Sequence, residues 1–246
     1  MQKVREQLNE KHFLYQYPDG FSFGTDAVLL AGFIRPRRGH VGVEFGTGTG
    51  IIPLLLAMHK SFSHITALEI QADYAALARE NVEANGFDHR ITVLQGDLKH
   101  AKELIGGTVD FVFTNPPYMK RDSGKENESE RKRIARHEVL CNLDDICLSA
   151  ASLLQDKGEF YAVYRTERLA EMIFSLKSVG LEPKTLVMVT PKPSSPPELF
   201  LLRAVKGARP GLRTRPPFII QEENGEKSEE CRLLYETGVL SHGEGV

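Results

Sequence analysis

Residues 114–118 read Thr114-Asn115-Pro116-Pro117-Tyr118. Two consecutive prolines fix φ and push each preceding residue toward extended backbone. The stretch is therefore a stiff exit from the apolar run Val109–Thr114. It aims the Asn115 side-chain oxygen, the Pro116 carbonyl and the Tyr118 ring into one crevice. The amino group of an aromatic base or an amide has a delocalised lone pair and is a poor nucleophile. Two fixed acceptors can take its two N–H bonds, favour a pyramidal nitrogen and stabilise the positive charge that grows as it attacks. Tyr118 can stack on the planar group and hold it in line. The product ammonium is acidic, so no strong general base is needed. No Ser/His/Asp set or carboxylate pair stands out in the chain.

A second candidate lies at Val43-Glu44-Phe45-Gly46-Thr47-Gly48-Thr49-Gly50, where a strand gives way to a helix. Glycines there permit positive φ and a close approach of backbone to ligand. The spacing Gly-x-Gly-x-Gly differs from the dinucleotide fingerprint Gly-x-Gly-x-x-Gly, whose third glycine falls on Ile51 here. The Lys-Ser/Thr ending of a phosphate loop is also missing, which argues against a nucleoside triphosphate. A glycine-rich turn without a ligand remains the plain alternative. Two further acids end strands on the same side. Glu69 follows Glu44 by 25 residues and can accept both hydroxyls of a ribose. Asp97, in Gln95-Gly96-Asp97, is a polar contact or the N-cap of the next helix, and the two roles can coexist.

These residues need strand ends to hold them. Short apolar runs at Val41–Phe45, Ile65–Ile70, Ile91–Gln95, Val109–Thr114 and Phe160–Tyr164 alternate with helical patterns at Gly50–His59, Ala72–Asn85, Leu143–Leu154 and Glu167–Val179. Gly86, Gly158 and Gly180 are expected helix stops. Alternation of this kind predicts a doubly wound, Rossmann-like α/β fold with a mostly parallel sheet and helices on both faces. Two more strands follow, Lys184–Val189 and Glu198–Val205. Thr190–Pro197 between them holds four prolines and two serines and no room for a helix. A parallel crossover needs a dozen or more residues, so this pair is expected to be antiparallel. The result is a seven-stranded sheet with one antiparallel strand. Residues 36–205 form this domain. Residues 1–35 flank it, with Thr25 expected to cap a helix, and residues 206–246 form a basic and then acidic tail.

The 246 residues carry 31 basic and 33 acidic groups, a net charge of −2, so any nucleic-acid surface must be local. Residues 119–137 contain seven basic side chains, among them Lys120, Arg131, Lys132, Arg133 and Arg136, against four acidic ones. Between Glu198 and Glu222 there is no acid, but there are Arg203, Lys206, Arg209, Arg213 and Arg215. Both stretches suit contacts to phosphates, or else are solvated surface. Cys141, Cys147 and Cys231 show no metal-ligand spacing and read as reduced thiols, with no metal expected. Met1–Glu10 is polar, unlike a signal peptide, and no apolar run approaches membrane-span length. A cytoplasmic protein is expected, as monomer or homodimer.

The glycine loop resembles motif I of the S-adenosylmethionine-dependent methyltransferases, and Asn115-Pro-Pro-Tyr118 resembles motif IV of those that modify amino groups. The expected sheet is the class I methyltransferase architecture. Across nearly the whole chain the sequence resembles the bacterial tRNA(Val) adenine-N6 methyltransferase family. That likeness rests also on Tyr17–Asp26, on Ala135-Arg-His-Glu138 and on the Pro-Pro-Phe-Ile-Ile tail. It implies S-adenosyl-L-methionine as cofactor, S-adenosyl-L-homocysteine as product, and tRNA as substrate, at an adenine beside the anticodon. It implies cofactor contacts from Phe23 and Asp26, Glu44, Gly46, Thr47, Gly48 and Gly50, Glu69 and Ile70, Asp97 and Leu98, and Asn115. In motif I of the S-adenosylmethionine-dependent methyltransferases Asp is commoner at the Glu44 position. Glutamine-N5 methylation of a release factor, guanine-N2 methylation of rRNA and a silent RNA-binding module are the rival readings. The first expects a helical domain ahead of the glycine loop, where only about 40 residues stand here.

Overall fold

The computed structural model describes residues 3–18, 24–116 and 142–241. Strands β1 (Val4–Gln7) and β2 (Phe13–Gln16) form a hairpin, followed by helix α1 (Thr25–Phe33). Then come β3 (Val41–Phe45), α2 (Ile51–His59), β4 (His64–Glu69), α3 (Ala72–Ala84), β5 (Ile91–Gln95), α4 (Ala101–Ile105) and β6 (Val109–Thr114). The rest of the core is α5 (Leu143–Leu153), β7 (Leu154–Arg165), α6 (Leu169–Ser178), β8 (Leu181–Thr190) and β9 (Leu199–Lys206).

The seven expected strands are present in the order β8-β9-β7-β6-β3-β4-β5, and β9 alone runs antiparallel to its neighbours. The strand order reverses at β3, which pairs β4 on one side and β6 on the other. That is the switch point where a doubly wound sheet leaves a crevice beyond its strand ends. One apolar layer joins α1, α2 and α3 to Phe111, Phe113, Tyr161 and Val163, and the other joins α4, α5 and α6 to Val43, Phe45, Val112 and Phe160.

Three local expectations are corrected. Gly24, not Thr25, occupies the N-cap of α1, in extended backbone and without a side-chain cap, while Asp26 Oδ1 accepts the Ala27 N–H at 2.9 Å. Helix α5 ends at Leu153, one residue before the expected end, because Leu154 is already extended and paired with Val109. Gly158 therefore stops no helix. It lies inside β7, where a Cβ would stand 2.9 Å from the Gln155 carbonyl oxygen.

The chain after Lys206 takes part in the core. Two-residue strands β10 (Arg213–Thr214) and β11 (Phe218–Ile219) add to β8, bringing the central sheet to nine strands among the described residues. Helix α7 (Glu229–Thr237) is capped by Ser228, whose Oγ accepts the Cys231 N–H at 3.0 Å and donates to the Ile219 carbonyl at 2.6 Å. It packs Leu234 so closely on α1 that a Cβ at Gly32 would lie 2.2 Å from it. Arg35 ties the end of α1 to the Leu240 carbonyl at 2.5 Å. Phe218 is fully buried and joins this segment to the sheet core. Phe218→Ala should therefore destabilise the whole domain by about 3–5 kcal/mol in denaturant unfolding, the usual cost of truncating a buried aromatic. A surface tail would give no measurable change.

Candidate active site

Parallel strands end together, and register decides which residues meet there. Thr114 pairs Phe45, Phe45 pairs Leu68, and Glu69 pairs Gln95. One residue beyond the Thr114–Phe45–Leu68 row stand Asn115, Gly46 and Glu69, on three adjacent chain segments. The fold thus gathers the amide, the glycine loop and the second acid at the switch point. Thr114 Oγ1 donates to the Phe45 carbonyl at 3.0 Å and locks the ends of β6 and β3 together.

The glycine loop is held from several directions. Gly46, Gly48 and Gly50 all have positive φ, at 72°, 56° and 82°. A side chain at any of them would be strained in this left-handed backbone. The Gly46 and Thr47 N–H groups donate to the Leu68 carbonyl at 2.9 and 3.0 Å. Glu69 Oε2 accepts the Gly48 N–H at 2.8 Å, and its Oε1 accepts the Gln71 N–H at 3.0 Å. Glu69 therefore already pins the loop. Each oxygen keeps a lone pair for a further donor.

Glu44 is 1% exposed and points to the face of β3 opposite Val43 and Phe45. Burial pushes its carboxyl up to about 8, the nearby Thr47 hydroxyl partly offsets this, and the Glu69 charge adds to it. The Thr47 hydroxyl falls short of full hydrogen-bond geometry. Among the described residues Glu44 Oε2, Thr47 Oγ1 and Asn115 Oδ1 have no hydrogen-bond partner. Orphaned buried polar atoms are uncommon, and three around one crevice mark a place built for a polar ligand. A ligand bringing a cation to Glu44 and donors to the other two would satisfy all three.

The remaining expected residues sort by position. Asp97 does cap the turn Leu98–His100, its Oδ1 accepting the Lys99 N–H at 2.9 Å. Ile70 stands at the rim, 37% exposed, and Leu98 packs partly buried against the α4–α6 layer. Asp26 is half-buried at the start of α1. Pro116 is buried. Phe23, Tyr118, Lys120, Arg131, Lys132, Arg133 and Arg136 lie outside the described residues, as does Cys141. Among the described residues Cys147 and Cys231 are buried and neither is in a disulfide. Among the described residues no cluster of His, Cys, Asp or Glu could hold a metal, and no helix is long and apolar enough to cross a membrane.

The basic stretch after Glu198 divides. Arg203 is engaged by Glu159, and Lys206 Nζ donates to the Ala151 and Leu154 carbonyls at 2.6 Å, capping α5. Arg209 and Arg213 are exposed and Arg215 is half-buried. Arg213 sits on β10, across β7, β9 and β8 from β6. At roughly 4.8 Å per strand that is about 19 Å from the catalytic strand end. The structure does not bring this strip beside Asn115. The sequence reading also missed Asn81, fully buried on α3 with its amide nitrogen 2.9 Å from the Thr49 carbonyl of the glycine loop. Its signal was present, a polar residue in the apolar stripe of Ala75, Ala78 and Val82.

The sheet order and strand-end crevice define a class I methyltransferase fold. Among solved structures, a predicted O-methyltransferase from Agrobacterium tumefaciens superposes with a TM-score of 0.71, covering 87% of this chain and 97% of its own at 22% identity. A methyltransferase from Pyrococcus furiosus gives 0.58, covering 79% and 89% at 20% identity. The model of the methyltransferase small domain matches residues 19–179, and the chain belongs to that family. Among its relatives, a tRNA1(Val) (adenine(37)-N6)-methyltransferase of Parabacteroides distasonis is 32% identical over 73% of this chain and 74% of its own. Proteins of the same name from Trichodesmium erythraeum and Histophilus somni are 28% and 24% identical, the latter over 95% of this chain and 97% of its own.

The raised pKa of Glu44 has a consequence for the ligand-free protein. A carboxyl that is harder to ionise when folded stabilises the fold below its unfolded pKa, and that contribution is lost as pH rises toward about 8. Thermal unfolding midpoints of the ligand-free protein should fall as pH rises from 5 to 8.5. Glu44→Gln should remove that slope and melt higher than wild type at pH 8.5. Parallel curves for the two proteins would refute a buried neutral Glu44.

Proposed function

We propose that this chain transfers a methyl group from S-adenosyl-L-methionine to the N6 amino group of an adenine in tRNA, beside the anticodon of a valine tRNA. The observation that carries the reading is the set of orphaned atoms on Glu44, Thr47 and Asn115 around the switch point. The names of relatives aligned over most of both chains support adenine in tRNA over glutamine in a release factor or guanine in rRNA.

In this reading Glu44 faces the cationic methionine end of the cofactor, and the Thr47 hydroxyl lies beside it. Gly46, Gly48 and Gly50 let the backbone approach. Glu69 takes the ribose hydroxyls while still holding the Gly48 N–H, and Ile70, Asp97 and Leu98 receive the adenine. Residues 1–35 cover the cofactor side, with Phe23 and Asp26 as outer contacts. S-adenosyl-L-methionine, when bound, supplies the electrophilic methyl.

The chain's own residues do the remaining work. Asn115 Oδ1 accepts one N–H of the substrate amino group and the Pro116 carbonyl accepts the other. Together they turn the nitrogen lone pair out of the base plane and stabilise its developing charge. Tyr118 stacks on the base. The methylated nitrogen sheds its extra proton to water. The anticodon loop offers unstacked bases, which keeps the cost of exposing the target low. Lys120, Arg131, Lys132, Arg133 and Arg136 bind phosphates near the target. Arg209, Arg213 and Arg215, some nucleotides away, bind others. The reaction takes place in the cytoplasm, where its substrate is.

Labelled S-adenosylmethionine and total tRNA from a strain lacking this gene provide the test. N6-methyladenosine should appear in a single tRNA species, and Asn115→Ala should lower the rate by about 100-fold or more, as loss of a transition-state hydrogen-bond partner does. Label in a release factor, or methylguanine in RNA, would overturn the substrate while leaving the fold intact.

A further inference from the structure

Helix α3 carries Asn81, and Asn85 one turn later is its C-cap residue. Asn81 Oδ1 accepts the Tyr15 N–H at 2.7 Å, and its Nδ2 donates to the Tyr15 carbonyl at 2.9 Å. Asn85 repeats the pattern on Phe13, at 3.0 and 2.8 Å. The two amides thus act as a short strand along the edge of β2 that β1 does not use. The spacings explain the fit. Four helical residues rise about 6 Å and two strand residues about 6.7 Å, so amides at i and i+4 reach the peptides of every second strand residue.

The two asparagines differ in their remaining N–H. Asn85 Nδ2 turns to the Asn81 carbonyl within the same helix, at 2.7 Å. Asn81 Nδ2 turns instead to the Thr49 carbonyl, at 2.9 Å. Thr49 lies between two of the positive-φ glycines and is 5% exposed. Asn81 is 0% exposed, and its amide oxygen and both its N–H groups are used. One side chain therefore joins the N-terminal hairpin to the glycine loop.

We propose that Asn81 is a positioning residue for the methyl donor. By holding the Thr49 carbonyl it keeps the loop in its left-handed form, and so sets cofactor affinity through the loop. This rests on the S-adenosylmethionine reading of the loop. Asn85 clamps the same hairpin without touching the loop, and so serves as the internal control.

The test compares Asn81→Asp with Asn85→Ala. The carboxylate keeps an acceptor for the Tyr15 N–H but can donate to neither the Tyr15 nor the Thr49 carbonyl. Amide hydrogen exchange on the ligand-free protein and calorimetric titration with S-adenosylmethionine are the two readouts. In Asn81→Asp, exchange across residues 46–50 should quicken. The Kd and KM for the donor should rise about ten-fold, the worth of the lost buried hydrogen bond to the loop. The kcat at saturating donor should stay within about two-fold, because an interaction made equally in ground and transition states alters KM alone. Asn85→Ala should quicken exchange in the hairpin and leave the Kd unchanged. Equal losses of affinity in both variants, or unchanged loop exchange in Asn81→Asp, would overturn the proposal. Asn81→Ala, which also removes the donor, gives the same comparison should the aspartate variant not fold. Failure of wild type to bind the donor would refute the cofactor reading instead, and the exchange data would still decide whether Asn81 holds the loop.

Discussion

The hydrogen bond from the Gly48 N–H to the Glu69 carboxylate is the interaction on which the site turns. A loop with three left-handed glycines has little intrinsic reason to keep one shape, since glycine gives up more backbone freedom on folding than any other residue. Its conformation has to be imposed from outside. Glu69 does so from the end of β4, the Leu68 carbonyl from the same strand, and Asn81 from α3 behind. Every one of these partners comes from an element that follows the loop in sequence. The loop is shaped by its successors and by the sheet that places them.

The same device of a side chain serving backbone recurs across the molecule. The N-terminal hairpin has too few apolar residues to dock by burial alone, as β1 is exposed throughout. Two asparagine amides do that work. Arg90 donates to the Ala57 and Lys60 carbonyls at the end of α2, at 2.9 and 3.0 Å, as Lys206 does at the end of α5. Cations placed on helix C-termini satisfy carbonyls that lack helical partners and meet the negative end of the dipole. Several basic residues that look like surface charge in the sequence are in this way spent on the fold.

Electrostatics at the crevice follow from depth. Glu44 and Glu69 are neighbours, yet they do different work. Glu69 is held by two backbone N–H groups, whereas Glu44 Oε2 meets none. Burial without donors favours the neutral acid, which is the state least costly to keep until a cation arrives. In the proposed function the methyl donor brings that cation to Glu44.

The amino-acid sequence by itself determined the order of the seven main strands and of the four long helices between them, the reversed strand and the two motifs. Their signals are local: apolar runs, glycine spacing, and prolines that leave no room for a crossover helix. It also carried both possible roles of Asp97, one of which the fold displays. Only the tertiary structure decided what the remaining polar residues do. Asn81 is one polar letter in a helix until β2 and the glycine loop close on it. Arg203 and Lys206 read as members of a basic strip until β9 turns them toward Glu159 and the end of α5. Strands of two residues, such as Arg213–Thr214 and Phe218–Ile219, have no periodicity to read and exist because β8 offers an open edge. Hydrogen-bond partners distant in sequence leave no local trace, and burial, which sets the protonation of Glu44, belongs to the packed chain alone.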